Sequence, residues 1–145
     1  MIDIRVEVRS EAPPEAVWKL VADGASWPLH SQLGSFELER EGEEGGESVG
    51  AVRVFRTRSR GRTYVSREQL VEIVPGRRLV YVLLSGLAVR DYRAEVDLSG
   101  ADGGALLRWH SSFRPKIPGT GRLYERALRT MLTDLATGLA AGARD

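Results

Sequence analysis

The segment LLRWHSSFRPKIPG, from Leu106 to Gly119, decides the fold, because it joins the last predicted strand to a long helix. Alternate residues in and just before this segment are plainly more apolar than those between them, which is typical of a strand with one buried face. The inward set comprises Ala105, Leu107, Trp109, Ser111 and Phe113. Trp109 is therefore predicted to point into the protein, and its neighbour His110 to point outward. Pro115 ends the pattern, since proline cannot donate to a β-ladder.

Six further strands are predicted upstream, each bounded by turn residues. Isoleucine and valine alternate with charged residues over 2–9, and apolar residues alternate with charged ones over 91–98. The remaining strands are predicted around Phe36, over 49–59, over 63–74 and over 79–84. Pro13 and Pro14 precede a short helix through Val21, and the following ASWPLHSQL is a second short helix or a loop.

A helical period replaces this alternation from about Gly119 onward. Its apolar stripe is predicted to comprise Leu123, Ala127, Leu128, Met131, Leu135 and Leu139. About 24 residues at 1.5 Å each make a helix of about 36 Å, long enough to cross a domain. The chain is therefore predicted to be one α+β domain over 1–145, in which a curved seven-stranded antiparallel sheet wraps around a long C-terminal helix. Such a sheet cannot lie flat against a cylinder, so we expect a void, filled by large side chains or by a ligand.

Composition limits the classes of function. The net charge is +1, from 21 basic and 20 acidic residues, so no overall field favours nucleic acid or an anionic membrane. The absence of cysteine excludes disulfides and thiolate chemistry, and two histidines without HxxxH or HExxH spacing predict no metal site. No apolar run approaches the roughly 20 residues that cross a bilayer, and the N-terminal residues lack the apolar core of a signal peptide. We expect a cytoplasmic protein without a cofactor.

Four segments resemble the START-like helix-grip superfamily, also called SRPBCC, and within it the polyketide cyclase/dehydrase and lipid-transport group. They are EAPPEAVWKLVAD with the SWP that follows, GAVRVF, EQLVEIVPGRRLVY, and VRDYRAEVDLSGADGGALLRWHSSFRP. Their order and spacing extend over essentially the whole chain. The resemblance implies a helix-grip fold with two short N-terminal helices and a cavity for a small hydrophobic molecule. It does not imply one reaction, because the superfamily includes cyclases, hydroxylase domains, lipid carriers and chaperone activators.

Two residues are predicted to cap the mouth of that cavity. Members of the resembled group often carry WPxW, and here the sequence is Trp27-Pro28-Leu29-His30, which puts His30 in the place of the second aromatic. Trp27 is either a gate or part of a small N-terminal apolar cluster. For His30, a solvent-exposed position is favoured over a titratable gate.

Several inward residues are predicted to line the cavity. Trp109 is either a flat aromatic wall or ordinary core, and Tyr92 could hydrogen-bond a ligand carbonyl, although a buried phenol more often finds a backbone partner. The other candidates on this basis are Phe55, Tyr81, Ser111, Phe113 and Met131.

Glu68 would be the best candidate acid or base if it faced inward, because burial raises the pKa of a carboxyl group. It shares one face of its strand with Tyr64 and Ser66, whereas the apolar residues Val65, Val71 and Ile73 favour the opposite face. An outward Glu68 paired with an arginine is therefore favoured, with Tyr64 and Glu68 kept as ligand candidates.

Arginines are dense between Arg53 and Arg67, with no acidic residue among them. A solvated sheet face, with charge pairing to nearby glutamates, is favoured over a nucleic-acid surface. Arg53 shares a face with Ala51, Phe55 and Thr57, so it could be an inward arginine that pairs with a ligand carboxylate or enolate, at a high cost without a partner.

Three functions stay open. The preferred one is a carrier or sensor that binds a lipid, polyketide or quinone-like molecule between the sheet and the C-terminal helix. The second is a polyketide aromatase/cyclase-type enzyme, for which Arg53 and Glu68 are the only inward ionisable candidates. The third is an interaction protein that uses the arginine-rich strands. Nucleic acid is not expected as a partner, and the oligomeric state is undecided, with a homodimer left open.

Overall fold

A computed structural model describes residues 1–143, and these residues have the predicted α+β architecture. In chain order the elements are β1 (Ile2–Ser10), α1 (Pro14–Ala22), β2 (Ser35–Arg40), β3 (Val52–Ser59), β4 (Arg62–Val74), β5 (Arg78–Ser85), β6 (Val89–Ala101), β7 (Gly104–Pro115) and α2 (Gly121–Gly142). Two single-turn 3₁₀ helices, Gly24–Ser26 and Pro28–His30, replace the predicted second short helix or loop. The last two positions of the predicted domain, 144 and 145, lie outside the described residues.

Within residues 1–143 the strands form one antiparallel sheet in the order β1-β7-β6-β5-β4-β3-β2. β1 pairs with β7 along its whole length, from Ile2 opposite Phe113 to Ser10 opposite Ala105. α2 packs mainly against β1 and β7. The helix contacts mainly the β1–β7 end of the sheet, and the strands β3–β6 curve around it. Register shifts in β2, β4, β5 and β6 mark bulges, which bend the strands.

The inner face of β7 is the predicted one. Its five inward residues, Ala105, Leu107, Trp109, Ser111 and Phe113, are each at most 1% exposed. His110 lies on the outer face, where its Nε2 is 2.8 Å from Asp3 Oδ1 and its Nδ1 is 3.5 Å from Glu95 Oε1. The alternation in this strand therefore predicted both orientations correctly.

A β-bulge in β4 explains why its alternation was ambiguous. Leu70 pairs with Tyr81 and Glu72 pairs with Val80, so that Val71 is an extra residue in the β4–β5 ladder. The bulge shifts the inward set by one position, because an inserted residue reverses the faces of all the residues that follow. Inward residues before the bulge are Tyr64, Ser66, Glu68 and Leu70, and Ile73 packs against the core after it. The favoured outward orientation of Glu68 is thus wrong.

The buried stripe of α2 differs in part from the predicted one. Leu128, Leu135 and Leu139 are buried as expected, but Leu123 is 70% exposed and Met131 is 38% exposed. The rest of the stripe is formed by Leu132, Ala136 and Ala140. The helix is therefore rotated from the predicted orientation, because the covering strands β1 and β7 lie to one side of it.

Two glycines bring the second 3₁₀ turn close to α2. A methyl group at Gly138 would overlap the backbone carbonyl oxygen of His30, and one at Gly142 would overlap the His30 ring. His30 is half-buried against this part of the helix. The glycines of α2 thus allow a close approach that a helix with larger side chains would prevent.

Candidate ligand-binding cavity

An apolar cavity of about 380 Å³ lies between the inner face of β3–β6 and the N-terminal half of α2. Its apolar lining comes from Leu33, Leu83, Leu87, Ala127, Leu128 and Met131, and its polar lining from Thr57, Ser59, Tyr64, Ser66, Glu68, Tyr92 and Tyr124. Tyr64 and Met131 are partly exposed and lie at its mouth. A larger depression of about 610 Å³ beside Pro14 and Gly100 is more open to solvent and lacks this enclosure.

Four of the residues predicted to bind a ligand line this cavity. They are Tyr64, Glu68, Tyr92 and Met131. Six others, Trp27, Phe55, Tyr81, Trp109, Ser111 and Phe113, belong to the buried core beside it and do not line it. Their role as ligand contacts stays a prediction.

Trp27 is neither at the cavity mouth nor in a separate N-terminal cluster, the two alternatives that the sequence left open, but belongs to the main core. Its ring is 1% exposed, stacks on Phe55 at a centroid distance of 5.3 Å and meets Trp109 edge-on at 5.3 Å. Its Nε1 donates to the carbonyl oxygen of Val21 at 3.2 Å. The aromatic ring is thus fixed in the core between α1 and the sheet. His30 packs against α2 and does not line the cavity either.

A chain of polar aromatic side chains runs from the core to the cavity wall. Trp109 Nε1 donates to the Tyr81 hydroxyl at 3.2 Å, and the Tyr81 and Tyr92 rings stack at 6.5 Å. The Tyr92 hydroxyl is 3.0 Å from Ser111 Oγ, so its partner is a side chain and not the backbone group expected from the sequence. Burial raises the pKa of both phenols, which therefore stay protonated.

Glu68 supplies the carboxyl group of the cavity lining. Its Oε1 is buried and has no hydrogen-bond partner among residues 1–143. Burial raises the pKa of this carboxyl group to about 7, against the lowering effect of the nearby Arg53 charge. Glu68 can therefore exchange a proton near neutral pH, inside an otherwise apolar space.

Arg53 is fully buried, as its position on the inward face of β3 predicted, but it is not among the residues that line the cavity. Its Nε forms an ion pair with Glu47 Oε2 at 2.6 Å, and its Nη2 donates to the carbonyl oxygen of Ala22 at 2.8 Å. The guanidinium also lies over the Trp27 ring at 5.0 Å. Instead of the ligand carboxylate envisaged from the sequence, Arg53 holds the β2–β3 connection against the end of α1.

The remaining lining residues were not singled out from the sequence. Thr57 shares a strand face with Arg53, and Ser66 shares one with Glu68, so strand alternation could have predicted that both point inward. Leu33 and Tyr124 carried none, because a loop leucine and a tyrosine in the first turns of a helix acquire their surroundings only when the chain folds.

Residues 1–143 were searched for a metal site and for a membrane-spanning helix. In that range no group of three or more histidine, cysteine, aspartate or glutamate side chains is arranged to hold a metal ion. No helix in the same range is long and apolar enough to cross a membrane.

An antiparallel sheet curved around a long helix, with an apolar cavity between them, defines a START-like helix-grip protein. The chain matches the family described as polyketide cyclase/dehydrase and lipid transport over residues 1–144, and it belongs to that family. Family membership and this fold indicate a role in binding a hydrophobic small molecule. No curated protein compared with the chain matches it.

Solved structures share the fold along their whole length. A START superfamily protein from Mycobacterium smegmatis is 14% identical with a TM-score of 0.82, and the match covers 98% of this chain and 97% of that one. XoxI from Bacillus cereus is 19% identical with a TM-score of 0.80, over 100% and 97% of the two chains. A protein from Thermobifida fusca is 27% identical with a TM-score of 0.76, over 99% and 93%.

Proposed function

We propose that the protein binds one small hydrophobic or amphipathic molecule, of the lipid, polyketide or quinone-like kind, in the cavity between β3–β6 and α2. The observation that carries this proposal is a partly enclosed space whose largely apolar surface is interrupted by a set of polar groups, open to solvent between Tyr64 and Met131. Buried apolar area would supply the affinity, at about 25 cal/mol per Å². A volume of about 380 Å³ is near the lower end of ligand pockets, which favours a molecule of modest size.

A polyketide aromatase/cyclase-type enzyme is the second candidate, and Glu68 is the observation that favours it. A carboxyl group with a pKa of about 7 inside a cavity can act as a general acid or base, and the Tyr92 phenol lines the same space. The binding function ranks first because Arg53, the other inward ionisable group expected from the sequence, is engaged by Glu47. Recovery of a bound polyketide-like molecule in unchanged form after incubation would support binding alone.

The interaction function has less support. Three of the six arginines between Arg53 and Arg67 form ion pairs with glutamates: Arg53 with Glu47, Arg56 with Glu37 at 2.8 Å, and Arg67 with Glu39. These pairs reduce the net positive field that a polyanionic partner would require.

The proposal is tested with a neutral hydrophobic dye, N-phenyl-1-naphthylamine, whose fluorescence rises in apolar surroundings. We expect saturable binding to the wild-type protein and its loss in Ala127→Trp, because Ala127 lines the mouth and an indole there would fill it. Ala141→Trp is the matched control, since Ala141 is exposed near the other end of the same helix and does not line the cavity.

Either of two results would reject the proposal. One is the absence of saturable dye binding to the wild-type protein. The other is equal binding by both tryptophan variants, which would place the dye elsewhere on the surface.

A further inference from the structure

We propose that Glu68 binds the polar head of the ligand, so that the cavity selects amphipathic molecules whose head donates a hydrogen bond, a hydroxyl or an amine, over molecules with a carboxylate head. This inference rests on the proposed function, because it assumes that the cavity is the binding site.

One carboxylate oxygen of Glu68 has no partner in the described protein. Oε1 is buried and accepts no hydrogen bond from residues 1–143, although the side chain lines the cavity. A buried polar atom without a partner is unfavourable, so a donor placed in the cavity against this carboxyl group would be stabilised there. An alkane or an ester tail cannot make this contact, whereas an O–H or N–H group can.

Glu68 is faced by groups from each element packed against it. β3 places Arg53 opposite it, and β5 places Leu83 opposite it. The other facing groups are Ser66 and Tyr64 from β4, Tyr81 and Tyr92 from β5 and β6, and Tyr124, Leu128 and Met131 from α2. Arg53 is the one cation among these described residues, and Glu47 already pairs with it.

The charge of the cavity lining disfavours a ligand with a carboxylate head. A ligand carboxylate would enter a cavity whose lining, as far as residues 1–143 supply it, carries an acidic group and no lysine, arginine or histidine. A like-charged head would therefore be repelled by ionised Glu68, and an ammonium head would be attracted to it. Burial raises the pKa of Glu68 to about 7, so this discrimination is expected to be strong at pH 8 and weak at pH 5.5.

The experiment compares three ligands with the same chain, decylamine, decanol and decanoate, as competitors of N-phenyl-1-naphthylamine. At pH 8 we expect decylamine and decanol to displace the dye with an apparent Kd at least tenfold below that of decanoate. At pH 5.5 we expect the gap between decylamine and decanoate to shrink at least threefold, because protonated Glu68 no longer repels a carboxylate.

Two variants assign the effect to Glu68. Glu68→Gln should reduce the ratio of the decanoate Kd to the decylamine Kd at least tenfold. It should change the Kd of the neutral dye by less than twofold. Glu72→Gln, on the outer face of the same strand where Glu72 pairs with Arg78, should keep the wild-type ranking.

The outcomes separate the two proposals. If the dye binds but the three head groups bind alike, or if Glu68→Gln keeps the ranking, the inference about Glu68 is wrong and the binding function stands. If neither the dye nor any of the three ligands binds to the wild-type protein, both are wrong. The ranking and its pH dependence in the wild-type protein need no variant, so they decide the matter even if Glu68→Gln does not fold.

Discussion

Arg53 and Glu68 stand directly opposite each other on β3 and β4, yet the guanidinium of Arg53 pairs with Glu47 and not with Glu68. The positive charge is thereby compensated inside the protein, whereas the carboxyl group of Glu68 faces the cavity with an unpartnered oxygen. This division gives Arg53 a structural partner and leaves an oxygen of Glu68 without one.

Glu68→Gln is expected to stabilise the ligand-free protein at high pH. The folded-state pKa of about 7 lies above the ordinary 4.5, so protonated Glu68 adds stability below about pH 4.5, and this contribution is lost as the pH rises to about 7. The variant should therefore match the wild-type protein near pH 4.5 and exceed it by up to roughly 3 kcal/mol near pH 8. Urea unfolding of both proteins across this range measures the difference, and a difference that does not change with pH would contradict the assignment.

Glu47→Gln is expected to destabilise the protein by about 3 kcal/mol, because it leaves the fully buried Arg53 without its counter-charge. Chemical denaturation would measure this change. Glu37→Gln is the matched control, since the Arg56–Glu37 pair is exposed on both sides and should contribute less than about 1 kcal/mol. Equal effects of the two substitutions would show that burial does not strengthen the Arg53 pair.

Gly138→Ala is expected to destabilise the protein by about 2 kcal/mol, although alanine is normally the better helix residue by about 1 kcal/mol. The reason is that the added methyl group would overlap the backbone carbonyl of His30. Gly142→Ala should cost less, since its methyl group meets the His30 ring, which can rotate away. Thermal unfolding of both variants tests this order, and a more stable Gly138→Ala would disprove the close approach.

Tyr92→Phe and Ser111→Ala are expected to be coupled, because their side-chain oxygens share a buried hydrogen bond of 3.0 Å. Each single substitution should cost about 1–2 kcal/mol by leaving its partner unsatisfied. The double variant should cost less than the sum, by about 1 kcal/mol, in a double-mutant cycle of unfolding free energies. Strict additivity would mean that the two hydroxyls do not interact in solution.

The cavity itself could be predicted only in part. Alternation correctly placed Tyr92 and the inward face of β7, because side chains in a regular strand alternate whatever surrounds the strand. It failed for Glu68, since the bulge at Val71 reverses the faces of β4 and no local signal marks a bulge there. Trp27 was misplaced for another reason. A single tryptophan in a short irregular segment has no period from which its direction can be predicted.

The sequence by itself determined the type and order of the main elements and the buried face of β7, because these follow from periodic patterns that the chain carries locally. It also carried the resemblance to the family, in four segments whose order and spacing match. Tertiary structure decided which side of α2 is buried, which acid pairs with Arg53 and which side chains surround the cavity. Those outcomes depend on contacts between segments far apart in the chain, such as Ala22 with Arg53 and His30 with Gly138. The free energy of such contacts exists only once the sheet has curved around the helix, and for that reason no local pattern encodes them.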